Sequence, residues 1–127
     1  MAANGKVLIA DDDELVAELA RTHLSAKGLE VLHAADGEAT LKMAAAHRPA
    51  LIVLDVSMPG IDGMEVLRRM SADESLRAIP VIMLTARRYQ EDVMAAVKLG
   101  ARDYLAKPFT PEELLTRVER VLSGTRA

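Results

Sequence analysis

Five short apolar runs punctuate the chain, each closed by a polar residue: Lys6 to Ala10, Leu29 to His33, Leu51 to Leu54, Val81 to Leu84, and Tyr104 to Ala106. Between them the apolar positions change to helical spacing. The first such segment sets Leu15 with Leu19, and Val16 with Ala20 and Leu24, at i, i+4. The last carries Leu114, Leu115, Val118, Val121 and Leu122. Runs too short for a helix, alternating with amphipathic segments, predict a repeated βα unit.

The sharpest boundary signal opens the last helix. Thr110 is placed to cap it, Pro111 occupies the first helical position, and Glu113 closes a capping box. Gly124 after Ser123 marks its end, and residues 123–127 read as the start of a tail or linker. Other breaks fall at Asp36-Gly37, His47-Arg48-Pro49, Pro59-Gly60, Ala78-Ile79-Pro80 and Gly100.

Strict βα alternation implies a parallel sheet with helices on both faces, because a right-handed crossover must return each strand parallel to the last. All strands then point one way, and the residues that follow them gather at one rim. Those residues are Asp11 and Asp12 after the first strand, Asp55 after the third, Thr85 after the fourth, and Lys107 after the fifth. Open α/β sheets bind ligands at that carboxyl edge, where the strand order reverses.

Composition narrows the field. A chain of 127 residues, half of them hydrophobic, fits a single domain spanning 1–127 with one core. Its net charge of -3, with basic residues scattered among acidic ones, builds no field for nucleic acid or an anionic membrane. The aromatic residues, Tyr89, Tyr104 and Phe109, are too few for a base-stacking platform. With no cysteine, thiolate catalysis and Cys-ligated zinc drop out. The run Val7 to Ala10 is too short for a signal sequence or a membrane span, so a cytoplasmic location is expected.

Three carboxylates, a hydroxyl and an ammonium at one rim require a cation. Two carboxylates about 4 Å apart repel by roughly 4 kcal/mol at an effective dielectric of about 20. Oxygen-only donors point to a hard ion, and one or two carboxylates plus water suit Mg²⁺ better than Ca²⁺. With Lys107, a divalent cation neutralises the three carboxylates; converting Asp55 to an acyl phosphate leaves a charge of about -1. The site can therefore accept a phosphoryl group, with Asp55 as nucleophile and Thr85 as a donor to a phosphoryl oxygen.

Four segments carry a family resemblance: Val7-Leu8-Ile9-Ala10-Asp11-Asp12-Asp13, Leu54 to Gly63, Met83-Leu84-Thr85-Ala86, and Gly100 to Phe109. In order and spacing they resemble the receiver domains of bacterial two-component response regulators, the CheY-like superfamily. The resemblance covers essentially the whole chain and implies a flavodoxin-like (βα)5 sheet in the order 2-1-3-4-5. It implies Asp55 as phosphoacceptor, with Asp12, Asp55 and the Ser57 carbonyl as direct Mg²⁺ ligands and Asp11 acting through water. Lys107 would contact the phosphoryl group, the Lys107-Pro108 peptide would be cis, and Thr85 with Tyr104 would switch the surface of the fourth helix, fifth strand and fifth helix. The implied donor is a histidine kinase or histidine phosphotransfer protein, and the implied recipient of the signal is an output domain or target protein. A phosphorylation-dependent homodimer is left open. Ser57 and Arg87 stand at positions that vary among receivers and tune self-dephosphorylation.

Each of these residues also has a plainer reading. Asp11 to Asp13 could simply cap the first helix, Asp13 above all. Asp55 could be a turn residue, Thr85 a cap, Lys107 a solvated rim lysine, and Tyr104 an amphipathic filler. Asp62-Gly63 reads as loop closure and helix start rather than chemistry. His23, His33 and His47 have no convergent partners in sequence and are expected at the surface or half-buried. Two rival functions remain beside the phosphoaccepting switch. A haloacid-dehalogenase-like phosphatase would use the Asp-x-Asp of Asp11 to Asp13, but leaves Asp55 idle and lacks a later acidic motif. A receiver-fold scaffold would bind partners without phosphorylation, but leaves the intact acidic set unexplained.

Overall fold

The computed structural model describes residues 5–86 and 90–124, excepting the side chains of residues 86 and 90–93. The elements alternate from β1 (Lys6–Ala10) and α1 (Glu14–Ser25) through β2 (Glu30–Ala34), α2 (Gly37–His47), β3 (Leu51–Asp55) and α3 (Gly63–Ser71). They continue with β4 (Val81–Ala86), α4 (Gln90–Lys98), β5 (Asp103–Lys107) and α5 (Pro111–Leu122). The strands are all parallel in the order β2-β1-β3-β4-β5, the expected flavodoxin-like arrangement.

Alternation along each strand divides the core. Val7 and Ile9 of β1, Leu51 and Val53 of β3, Ile82 and Leu84 of β4, and Leu105 of β5 pack with Ala20 and Leu24 of α1 and Leu114, Val118 and Val121 of α5. The alternate residues Leu8, Ile52, Leu54, Val81 and Met83 pack with Ala44 of α2, Val66, Leu67 and Met70 of α3, and Ala96 of α4. With both faces covered, the central strands read as unbroken apolar runs.

The helix starts follow local chemistry. Asp13, Asp36, Asp62 and Thr110 each accept a hydrogen bond from a first-turn backbone N–H, and at α5 the expected capping box forms with Pro111 behind it.

Strand limits differ from the apolar runs where pairing, not side-chain type, decides them. Leu29 N–H turns back to the Leu24 carbonyl to close α1, so β2 begins at Glu30 and extends to Ala34, opposite Ala10. Pairing of β4 with β5 carries those strands through Thr85 to Ala86 and through Lys107. Asp55 and Lys107 are thus the last residues of their strands and Thr85 the last but one of β4, rather than residues after strands, and Asp11 and Asp12 alone lie beyond. Arg87 and residues 125–127 of the expected tail lie outside the described residues.

Candidate functional site

The carboxyl ends of β1, β3 and β5 bring three of the predicted residues into direct contact. Lys107 Nζ lies 3.2 Å from Asp11 Oδ2 and 3.2 Å from Asp55 Oδ2. The remaining oxygens are held locally. Asp11 Oδ1 accepts from the Asp13 N–H at 2.9 Å, and Asp55 Oδ1 accepts from the Ser57 N–H at 3.3 Å. Asp11 is fully buried and Asp55 is 4% exposed, whereas Asp12 is exposed. Carboxylate oxygens of Asp11, Asp12 and Asp55 all fall within 4.8 Å of one another, so the three form an acidic cluster that can hold a metal ion.

The loop after β3 keeps Asp55 in place. Val56 N–H donates to the Leu84 carbonyl, and Gly63 N–H donates to the Val56 carbonyl, folding the start of α3 back onto the end of β3. Lys107 precedes a cis peptide to Pro108, as the resemblance implied.

Electrostatics match this geometry. Burial, and after it the Asp11 carboxylate, push the Asp55 carboxyl up to about 6, against the opposing pull of Lys107 and the Ser57 N–H. Burial works against the Lys107 ammonium, but Asp55 and Asp11 outweigh it and hold its pKa above the ordinary lysine value. One lysine among three carboxylates leaves the cluster anionic. Oxygen donors alone, two of the three residues buried, fit a hard divalent cation.

The other predicted residues have less direct placements. Thr85 is buried at the end of β4, one residue beyond Leu84, the register partner of Asp55. Tyr104 pairs with Met83, is 45% exposed, and stands outside the cluster. Its backbone carbonyl accepts from Arg117, which also pairs with Asp103 at 3.0 Å. Ser57 is exposed, and its N–H is engaged with Asp55. Asp13 spends its carboxylate on the Leu15 N–H at 2.9 Å and so caps α1, the plainer of its two readings.

One contact had no counterpart in the sequence reading. His33 is half-buried, as expected, but it has a partner: its Nε2 lies 2.7 Å from the Asp11 carbonyl oxygen. A histidine closing an apolar run was the available signal; the β1–β2 register that makes it meaningful was not readable.

Residues 7–119 match the family described as response regulator receiver domain. The chain belongs to that family. This receiver domain is 40% identical over 119 residues to the alkaline phosphatase synthesis transcriptional regulatory protein PhoP of Bacillus subtilis, a match covering 94% of this chain and 49% of that protein. It is 43% identical over 123 residues to the response regulator MprA of Mycobacterium ulcerans, covering 95% and 51% respectively. Among solved structures, the chemotaxis response regulator CheY4 of Vibrio cholerae superposes with a TM-score of 0.86 at 34% identity, over 93% of this chain and 98% of that one. The receiver domain thus spans about half the length of the curated relatives and nearly all of the chemotaxis protein. Receiver domains of response regulators are signalling proteins, and phosphorylation-based two-component signalling is implied here.

Proposed function

We propose that this receiver domain takes a phosphoryl group onto Asp55 from the phosphohistidine of a histidine kinase or histidine phosphotransfer protein, in a Mg²⁺-dependent reaction. The observation that carries the reading is the shared lysine: one ammonium stands 3.2 Å from Asp55 and 3.2 Å from Asp11. Asp55 Oδ attacks phosphorus, the P–N bond of the donor breaks, and the donor imidazole leaves with the electron pair. Lys107 balances charge on the phosphoryl oxygens as they close on Asp55. Asp12, Asp55 and the Ser57 carbonyl would hold Mg²⁺, with Asp11 acting through water. When bound, the ion supplies charge neutralisation and in-line orientation at the phosphoryl oxygens. The raised pKa of Asp55 reflects burial first and the neighbouring Asp11 carboxylate second, both of which a bound cation would offset.

The finer consequences belong to the same proposal. Thr85 donates to the new phosphoryl oxygens, Tyr104 responds, and the α4-β5-α5 surface changes for an output domain or target protein. Met94, Val97 and Tyr104 are exposed on that surface, which would also serve a phosphorylation-dependent homodimer. The domain catalyses only its own phosphorylation and dephosphorylation. A kinase donor carries with it a cytoplasmic location; among the described residues no helix is long and apolar enough to cross a membrane. Asp13 capping α1 speaks against the phosphatase reading, which needs the Asp-x-Asp pair for chemistry.

Intact-mass measurement after incubation with acetyl phosphate and Mg²⁺ tests the proposal. One added phosphoryl group is expected, abolished by Asp55→Asn and by EDTA. Labelling that persists in Asp55→Asn would overturn the assignment.

A further inference from the structure

Asp12 is the least restrained of the three clustered carboxylates. Asp11 has one oxygen held by Asp13 N–H and the other by Lys107, and Asp55 is held by Ser57 N–H and Lys107. Asp12 is exposed, and among the described residues no hydrogen bond or ion pair reaches its carboxylate. Its position is therefore set by the backbone that delivers it, beginning with the Asp11-Asp12 peptide.

That peptide and the one before it are gripped from β2. Asp11 N–H donates to the Ala34 carbonyl at 3.1 Å, the last rung of the β1–β2 ladder. The strand ends there, so the donor to the Asp11 carbonyl comes from a side chain, His33 Nε2 at 2.7 Å. A carbonyl oxygen has no hydrogen to give, which makes Nε2 the protonated donor. Adjacent residues of one strand thus hold both backbone polar groups of Asp11. The peptides on either side of the Asp11 Cα are each held at one end, Ala10-Asp11 through its N–H and Asp11-Asp12 through its carbonyl, which narrows the arc open to the carboxylate of the next residue.

We propose that His33 is a positioning residue for the metal site: by donating to the Asp11 carbonyl it fixes the peptide from which Asp12 reaches the cation. The proposal rests on the reading that the acidic cluster holds Mg²⁺. Groups that orient ligands without touching the ion set its affinity about 10- to 100-fold. His33 acts on the ligand frame and not on the phosphoryl group.

Isothermal titration of Mg²⁺ into the full chain at a fixed pH of about 8, without phosphodonor, reads this directly. His33→Ala should raise the Mg²⁺ Kd about 10-fold, read well below a metal-free melting temperature that loss of the bond to the Asp11 carbonyl lowers. His33→Gln, whose carboxamide N–H can donate to the same carbonyl, should regain most of that affinity. Long-range proton–nitrogen NMR of the metal-free wild type should show His33 as the Nε2–H tautomer. Equal Kd in His33→Ala and wild type, no recovery in His33→Gln, or an Nδ1–H tautomer would each overturn the role. A His33→Ala chain that does not fold leaves the decision to His33→Gln and the tautomer. Wild type that takes up no Mg²⁺ sinks the metal reading itself, and the tautomer then reports separately on the His33 contact.

Discussion

A β-carbon placed on Gly63 would lie 2.2 Å from the carbonyl oxygen of Asp55. No side chain fits that gap, because the obstructing atom is backbone and cannot rotate away. The first residue of α3 thus presses against the end of β3 that carries Asp55, and Gly63 N–H tightens the approach by bonding the Val56 carbonyl at 2.9 Å. Gly63→Ala should therefore destabilise the fold by roughly 3 kcal/mol, at the upper end of overpacking costs. It should also slow phosphorylation by acetyl phosphate, since relief of the clash moves Asp55. Urea denaturation with an unshifted midpoint would show that the approach is looser than described.

Asp55→Asn should stabilise the metal-free protein in a pH-dependent way. The folded-state pKa of Asp55 is raised to about 6 from 3.8, so the native state binds the proton more tightly than the unfolded chain. Below the unfolded value the carboxyl is neutral in both states and imposes no penalty. As pH rises through this interval the penalty grows, and above about 6 it is complete, at no more than about 3 kcal/mol. The gain from Asp55→Asn should be absent near pH 3.5, appear between about 4 and 6, and level off above. Saturating Mg²⁺ should shrink it by neutralising the cluster. Parallel denaturation curves of the two proteins across pH would check the sign; a gain that falls with rising pH would contradict it.

Lys107→Met should leave two buried carboxylates facing each other without their shared cation. Removing one partner from a largely buried pair costs roughly 3 kcal/mol at neutral pH. The loss should fade on acidification, as Asp55 takes up a proton and the repulsion disappears. Thermal melts at several pH values would test this, and the rate of mass gain with acetyl phosphate should drop in the same variant. A pH-independent loss would mean that Lys107 acts by packing alone.

Thr110→Ala should remove half of the capping box that starts α5 and cost about 1 kcal/mol. Thr110 accepts from the Glu113 N–H at 3.1 Å, and Glu113 accepts from the Thr110 N–H at 2.8 Å. A double-mutant cycle with Glu113→Ala should show coupling, because the two bonds share one turn; strict additivity of the denaturant midpoints would count against it.

The fold was legible because its causes are local. Val7 to Ala10 and Leu51 to Leu54 are unbroken apolar runs too short for a helix, which marks strands of a sheet covered on both faces, and Thr110, Pro111 and Glu113 hold a helix start within one turn. The residue types at the rim were legible, since Asp11, Asp12, Asp55, Thr85 and Lys107 stand at or just past the ends of their runs in a parallel βα repeat.

Which atoms meet was another matter. The ammonium that bridges Asp11 and Asp55 comes from 96 and 52 residues away, at a distance fixed by strand order and stagger. Asp11 turns inward and Asp13 outward to cap α1, although the three consecutive aspartates are chemically identical. His33 gains its role from a register that pairs Ala10 with Ala34, and Gly63 from the angle at which α3 leaves β3. Periodicity and capping are short-range properties that the order of residues determines by itself. Register, crossing geometry and burial are settled only when distant segments pack, and these decided which carboxylates face the lysine.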